Sequence, residues 1–319
     1  MLTLTFLGTS AARPTVERNV SSIALMREGE TLLFECGEGT QRQMMRYGVG
    51  FTLSEIFFSH FHADHILGVT GLVRTLGLQG REEPLTLYGP TGAKTHLGAA
   101  VQLGVERSPF EVEIREMGPG DVLQREEYDI EAIPVEHGRS AIGYVLREHE
   151  RLGRFDPAKA RELGVPEGPL WGRLHRGETV EFEVVEDGQS VTRSLGPEEI
   201  VGHARPGRLV VYSGDTRPCE SVVAAAEGAD LLIHEATFSH DEQERARETQ
   251  HSTAREAGQV ALAARVQKLV LTHVSARFSA AAEVLRDEAR EVFANTVVAR
   301  DGMVVDVAFP DAKQGVGGP

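Results

Sequence analysis

The 319 residues predict an α/β fold in which short apolar strands alternate with helical segments, twice over. Two observations carry that reading. The first is a set of apolar runs of three to six residues, each ending in a polar group able to bind metal or move protons. The second is the break between Arg151 and Arg205, a stretch rich in glycine, proline and charge that separates the halves.

The first half opens with Leu2 to Leu7, which alternates like a half-buried strand and stops at Gly8. Thr9 to Asn19 has no periodicity and reads as a loop. Strands are expected over Val20 to Met26 and Thr31 to Glu35, split by the turn Glu28-Gly29-Glu30. Cys36-Gly37-Glu38-Gly39-Thr40 then turns the chain into a helix near Gln41 to Tyr47, where Arg42 and Arg46 share a face. Ile56-Phe57-Phe58 reads as a buried strand, followed by Ser59-His60-Phe61-His62-Ala63-Asp64-His65. Three imidazoles and a carboxylate within six positions are ligands suited to zinc and its borderline neighbours. With His60 and His62 directed one way and Asp64 and His65 another, the spacing suits two adjacent metals.

Helical spacing covers Ile66 to Leu78 and Thr91 to Leu103, with a strand at Leu85 to Tyr88 between them. Strands follow at Phe110 to Glu116, Asp129 to Val135 and Ala141 to Leu146. His137 stands just past the second of these and is a candidate to join the first cluster. The segment 151–205 has β-like flanks, Thr179 to Val185 and Ser190 to Leu195, which suggest a long hairpin standing off the body, with Gly168 to Leu174 and the single Trp171 at its centre.

The second half alternates again. Leu209 to Tyr212 runs into Asp215, Leu231 to Ile233 ends at Glu235, and Leu269 to Leu271 ends at His273. Helices are expected over Glu220 to Glu227, Asp241 to Glu248, Thr253 to Arg265 with Ser252 as N-cap, and Ala280 to Val292. Two strands, Thr296 to Ala299 and Met303 to Val307, close the fold, and 310–319 reads as a disordered tail. Ends of neighbouring strands in a layered α/β sheet meet along one edge. Five of them deliver His60 to His65, His137, Asp215, Glu235 and His273 to one region.

Composition narrows the class. Cys36 and Cys219 cannot make a disulfide framework, no signal-like segment opens the chain, and no apolar run nears bilayer length, so a cytoplasmic protein without a membrane partner is expected. A formal charge of −15 argues against a polyanionic partner. From Arg139 to Arg176, however, eight Lys/Arg face five acids, an excess of +3.

His60-x-His62-x-Asp64-His65, a later lone His, an Asp after a strand and a final His resemble the metallo-β-lactamase fold, an αββα sandwich. Phe34 to Gln41, Ser213 to Cys219, His234 to Phe238, His251-Ser252-Thr253 and Thr272-His273 more narrowly resemble the ribonuclease Z family, endonucleases that trim the 3′ end of precursor tRNA. The resemblance runs from Leu2 to about Asp306. It implies a catalytic domain over 1–309 with 151–205 as an inserted, protruding tRNA-binding arm. It also implies two zinc ions per subunit, replaceable by manganese or another divalent ion. His60, His62 and His137 would hold one ion, Asp64, His65 and His273 the other, and Asp215 would bridge them. Asp64 would orient or deprotonate the attacking water, and His251, held by Glu235, would protonate the leaving 3′ oxygen. The products would carry a 3′-hydroxyl on the tRNA and a 5′-phosphate on the trailer.

Arg18, Asn19, Arg42, Arg46 and Arg173 are the expected substrate contacts, with precursor tRNA as partner, no DNA, and a homodimer by resemblance. One departure from the family pattern is Val16, which stands where a lysine is common in Pro-x-Lys-x-Arg-Asn, and it leaves the cut position open. Two rivals compete: a hydrolase of small molecules on the same fold, against which the arm argues, and an RNA-binding protein without catalysis, against which the Glu235/His251 pair argues.

Overall fold

The computed structural model describes residues 1–104, 107–186 and 189–310. Two units are distinct, 1–147 with 208–308, and 148–207 with the chain from Phe309. The expected tail lies, from 311 onward, outside the described residues.

In the larger unit the first half supplies β1 (Leu2–Gly8), β2 (Ser22–Arg27), β3 (Glu30–Phe34), α1 (Thr40–Arg46), β4 (Glu55–Phe57), α2 (Ala63–Ile66), α3 (Gly68–Leu78), β5 (Leu85–Gly89), α4 (Ala93–Gln102) and β6 (Val112–Glu116). Then come β7 (Val122–Gln124), β8 (Tyr128–Pro134) and β9 (Ile142–Glu148). The smaller unit contains α5 (Pro157–Glu162), α6 (Pro169–His175), β10 (Val180–Glu186) and β11 (Gln189–Leu195). The second half adds β12 (Leu209–Tyr212), α7 (Glu220–Ala225), β13 (Leu231–Glu235), α8 (Gln243–Glu248), α9 (Ala254–Ala263), β14 (Leu269–Thr272), α10 (Glu283–Arg290), β15 (Thr296–Val298) and β16 (Val304–Asp306).

The strands form two seven-stranded sheets, β16-β1-β2-β3-β4-β5-β6 and β15-β14-β13-β12-β9-β8-β7. Strands β3 to β6 run parallel to one another, as do β12 to β15. Alternation along the strands explains why the sheets stack. Leu32, Phe34, Phe57, Tyr144, Val210, Tyr212, Ile233 and Val270 join one core between the sheets. Their neighbours Leu33, Ile56 and Phe58 pack outward with Met44, Leu72 and Leu97 of the first helical layer. Val211, Leu232 and Leu271 do the same with Val222, Val260 and Leu285 of the second. This is the αββα order. With both faces covered, β1 is buried at every position, not half-buried; Thr3 instead gives its hydroxyl to Asp306 Oδ1 at 2.7 Å.

Close backbone contacts fix the loops at the sheet ends. Cys36 N–H donates to the His65 carbonyl and Gly68 N–H to the Cys36 carbonyl, both at 2.8 Å. A Cβ on Gly68 would fall 1.9 Å from the Gly37 carbonyl oxygen, so no larger residue fits there. The loop after β1 is pinned by Asp301, which accepts from Thr9 Oγ1 (2.8 Å), Asn19 N–H (2.6 Å) and Gln43 Nε2 (2.8 Å). The N-cap of α9 is Thr253 rather than Ser252. Its hydroxyl accepts from Glu256 N–H while Glu256 reaches back to Thr253 N–H, a reciprocal cap that leaves the Ser252 hydroxyl to donate to the Thr216 carbonyl.

The segment read as a hairpin carries two helices as well. Asp156 caps α5 by accepting from Ala158 and Lys159 N–H, and α6 starts with Pro169 in its first turn. The hairpin β10–β11 and both helices enclose a small core of Ala160, Val165, Leu174, Phe182 and Leu195. Trp171 packs against that core, its indole N–H donating to the Val165 carbonyl at 3.2 Å.

Arg18 is 6 % exposed and donates to Thr9 Oγ1 (2.8 Å) and the Ala299 carbonyl (2.6 Å). Arg18→Ala is expected to cost about 2 kcal/mol of unfolding free energy, because buried acceptors lose their donor. Urea unfolding measures it; an unchanged midpoint would show that the clamp holds nothing.

Candidate metal centre

Five loops at the ends of β4, β8, β12, β13 and β14 bring the polar residues together. On one side stand His60, His62 and His137, with Nε2 of His60 2.9 Å from Nδ1 of His62 and Nε2 of His137 3.3 Å from the same atom. On the other, Nε2 of His273 is 3.2 Å from Asp64 Oδ2 and 3.4 Å from His65 Nε2. Asp215 Oδ2 lies between the groups, 3.4 Å from His65 Nε2, 3.3 Å from His273 Nε2, 3.6 Å from His60 Nε2 and 4.0 Å from His137 Nε2.

The far side of each imidazole is held by the protein, and this settles what the inner side offers. His137 Nδ1 lies 2.8 Å from the Gln250 carbonyl, which only accepts, so Nδ1 carries the proton. Thr237 gives its hydroxyl proton to Glu235 Oε2 at 2.7 Å and therefore accepts from His273 Nδ1 at 2.9 Å. With the outer nitrogen occupied in this way, Nε2 is the atom each of these rings turns inward, toward carboxylate oxygens. Acceptors facing acceptors at such distances repel unless a cation sits between them. Anchoring the outer nitrogen to a carbonyl or hydroxyl is also how metal-bound histidines are oriented. The donor set therefore fits divalent metal of the zinc type.

Without metal, protons take the cation's place: burial opposes charge on His65, yet Asp215, Asp64 and Glu35 hold its pKa well above the ordinary value. Burial pushes the His60 imidazole well below its usual range. Burial also opposes charge on Asp215, yet His273, His65 and His60 hold its carboxyl well below the ordinary value. The same contest, won by His65 and the His273 hydrogen bond, keeps Asp64 ionised. Asp64 Oδ2 accepts from Ala12 N–H at 2.8 Å as well.

His251 stands apart in role. Its Nδ1 is 2.7 Å from Glu235 Oε1, and Glu235 is fixed in turn by Thr216 N–H at 3.0 Å and by Thr237. Although burial disfavours the charged ring, Glu235 raises its pKa to about 9. Nδ1 being engaged, Nε2 is the atom free to give a proton.

Backbone strain concentrates here. Of the non-glycine residues with positive φ among those described, Ala12 (53°), Glu35 (59°), Gln250 (60°) and His273 (55°) all belong to the site. Glu35, which reads in the sequence only as the last residue of a strand, is part of the site as well. Its Oε2 lies 3.5 Å from His65 Nδ1, and its Oε1 accepts from Ser59 N–H (3.0 Å) and the Tyr212 hydroxyl (3.3 Å). The signal was present, since Glu35 ends an apolar strand as Asp215 and Glu235 do. Thr237 gave no comparable signal.

The expected substrate contacts divide. Arg18 is 6 % exposed, its guanidinium spent on Thr9 and the Ala299 carbonyl in the clamp described above rather than presented at the surface. Asn19 spends its amide on the Glu38 carbonyl at 2.8 Å. Arg42 and Arg46 are exposed on α1, Arg46 lying over the Tyr47 ring. Arg173, in the smaller unit, is exposed and paired with Glu178 at 2.8 Å. That unit is not basic as a whole: residues 148–207 hold eight Lys/Arg against twelve Asp/Glu. The excess seen from Arg139 to Arg176 is local.

The family model described as "Anti-Pycsar protein Apyc1" matches residues 2–144, and the "Beta-lactamase superfamily domain" model matches 189–274. Ribonuclease Z of Gemmatimonas aurantiaca is 55 % identical over 97 % of this chain and 97 % of its own length. That of Myxococcus xanthus is 54 % identical over 98 % and 99 %. Human tRNase Z, short form, aligns with a TM-score of 0.68 at 26 % identity, covering 96 % of this chain and all of its own.

In metal-free protein the His251 ring is expected to titrate near 9, and Glu235→Gln to return it toward 6.5, since the carboxylate is what holds the proton on. NMR titration of the imidazole resonances would detect this; a variant titrating where the parent does would remove Glu235 from the role. With relatives this similar over nearly their whole length, the chain belongs to the ribonuclease Z family of metallo-β-lactamase-fold nucleases.

Proposed function

We propose that this nuclease removes the 3′ trailer from precursor tRNA, leaving a 3′-hydroxyl on the tRNA and a 5′-phosphate on the trailer. The observation that carries the reading is the meeting of two ligand groups around Asp215, with an independently held acid, His251, beside them. The relatives named ribonuclease Z and the human tRNase Z point to the substrate. They also weigh against the small-molecule rival, which would share the fold and the metal ligands.

His60, His62 and His137 would hold one zinc ion and Asp64, His65 and His273 a second, with Asp215 shared; manganese or another divalent ion would fit the same donors. Bound there, the pair supplies Lewis-acid charge for an in-line displacement and lowers the pKa of water toward neutrality. Asp64 faces the cavity and orients the attacking water. His251 delivers its Nε2 proton to the departing 3′ oxygen, and Glu235, bonded to Nδ1, restores the ring's basicity for the next turnover. Thr237 ties this acid to the ligand His273, so proton donor and ligand keep one geometry.

No described helix is long and apolar enough to cross a membrane, and the cytoplasm, where tRNA is processed, is the proposed compartment. The unit 148–207 would act as the tRNA-gripping arm, and a homodimer would let one subunit's arm serve the other's site.

A 3′-extended tRNA incubated with the protein, with and without chelator, should be cut once, with the stated ends and only when metal is present. His251→Ala should lower kcat by about 10²- to 10⁴-fold at full metal content. Products bearing a 3′-phosphate, or a variant as fast as the parent, would contradict the mechanism. Removal of 151–205 should abolish cleavage of that tRNA and spare hydrolysis of a small phosphodiester; equal loss of both would overturn the arm's role.

A further inference from the structure

The cavity lined by the candidate metal ligands, about 330 Å³, carries positive charge that the proposed chemistry does not use. Along with His62, Asp64, Asp215, His251 and His273, its walls include Arg13, Arg245 and Arg277. Each comes from a different element and stands close in the chain to a site residue. Arg13 follows Ala12, whose N–H holds Asp64; Arg245 is on α8, ahead of His251; Arg277 follows β14 and His273. All three are exposed. The Arg245 guanidinium lies 5.9 Å from the centre of the buried Phe238 ring, and Arg277 is steadied by an ion pair with Glu242. Among the described residues no hydrogen bond or ion pair occupies the Arg13 or Arg245 side chain, so both guanidinium forks are available.

A single arginine on a cavity wall would be ordinary surface. Three, from separate elements, around a cavity also lined by Asp64 and Asp215, answer a specific problem. The cations would serve the phosphate being cut, but its neighbours on the strand would otherwise face carboxylates in a chain of charge −15. Guanidinium groups bind phosphate oxygens in pairs and keep their charge at any working pH.

We propose that Arg13, Arg245 and Arg277 form a phosphate clamp that holds the single-stranded RNA backbone on either side of the scissile bond. The clamp rests on the nuclease reading and deepens it, naming the groups that set substrate affinity at the cut. In the loop that carries Arg13, Val16 is 97 % exposed but apolar, and Arg18, two residues further on, is 6 % exposed.

The test uses the full-length zinc-loaded protein and a 3′-extended tRNA. KM and kcat are measured from about 50 to 200 mM salt for the parent, Arg13→Ala, Arg245→Ala, the triple alanine variant and the matching lysine variants. Each alanine should raise KM about tenfold. It should also make the slope of log(1/KM) against log[salt] shallower by about 0.7, the value for one single-strand phosphate contact, with lysine restoring most of the slope. A purely structural arginine would leave that slope alone. Unchanged KM and slope in the triple variant, with the parent cutting normally, would overturn the clamp alone. A parent that leaves the tRNA uncut would refute the nuclease reading, and the clamp with it.

Discussion

The structure turns on a charge problem at the ends of its strands. Five imidazoles and the Asp64 carboxylate, all but His62 largely buried, crowd around Asp215 with their ligand atoms facing one another. A cluster of this kind is expensive to bury empty and favourable to bury around cations, because each bare nitrogen or oxygen then meets positive charge. The sandwich gives the cluster a rigid base. Phe34, Phe57, Tyr88, Tyr144 and Tyr212 pack together in the core between the sheets, Phe57 stacked on Tyr88 at 4.9 Å, and the Tyr144 hydroxyl donates to the Phe58 carbonyl just before the first histidines.

Around that base the protein fixes the outer atom of the ligands rather than the inner one. Gln250 presents a carbonyl to His137, Thr237 a hydroxyl to His273, Ser59 a hydroxyl to His60 at 3.0 Å, and Glu35 a carboxylate to His65. Three of these anchors, or the ligand itself, need a left-handed backbone at a residue with a side chain, as at Glu35, Gln250 and His273. Such conformations cost roughly 1–3 kcal/mol each and persist where surrounding contacts enforce them. Stability is given up here to hold ligand geometry in advance of metal.

Much of this was legible in the residues. The histidine cluster, and polar groups following apolar strands, marked nearly the whole inner set, because position at a strand end is a sequence property. The outer set was harder. Thr237 and Gln250 act through one hydroxyl and one carbonyl, and neither residue type announces that use. The burial of Arg18 was hidden, because charge alone does not report it; one of its acceptors, the Ala299 carbonyl, becomes a neighbour only once the closing strands return to β1. In the segment 151–205 the hairpin was visible, while α5 and α6 were passed over despite Asp156-Pro157 and Gly168-Pro169, ordinary helix-start signals masked by the surrounding glycine and charge.

The account stands on cations gathered by groups from across the chain, and Asp215 is the group both halves share. Metal content by elemental analysis and melting temperature with and without chelator, for the parent and Asp215→Asn, test this most directly. Two divalent ions per chain, a melting temperature that falls when they are stripped, and loss of at least one ion in the variant are the predicted results. A parent that binds no zinc or manganese when either is supplied, and melts unchanged in chelator, would contradict the account.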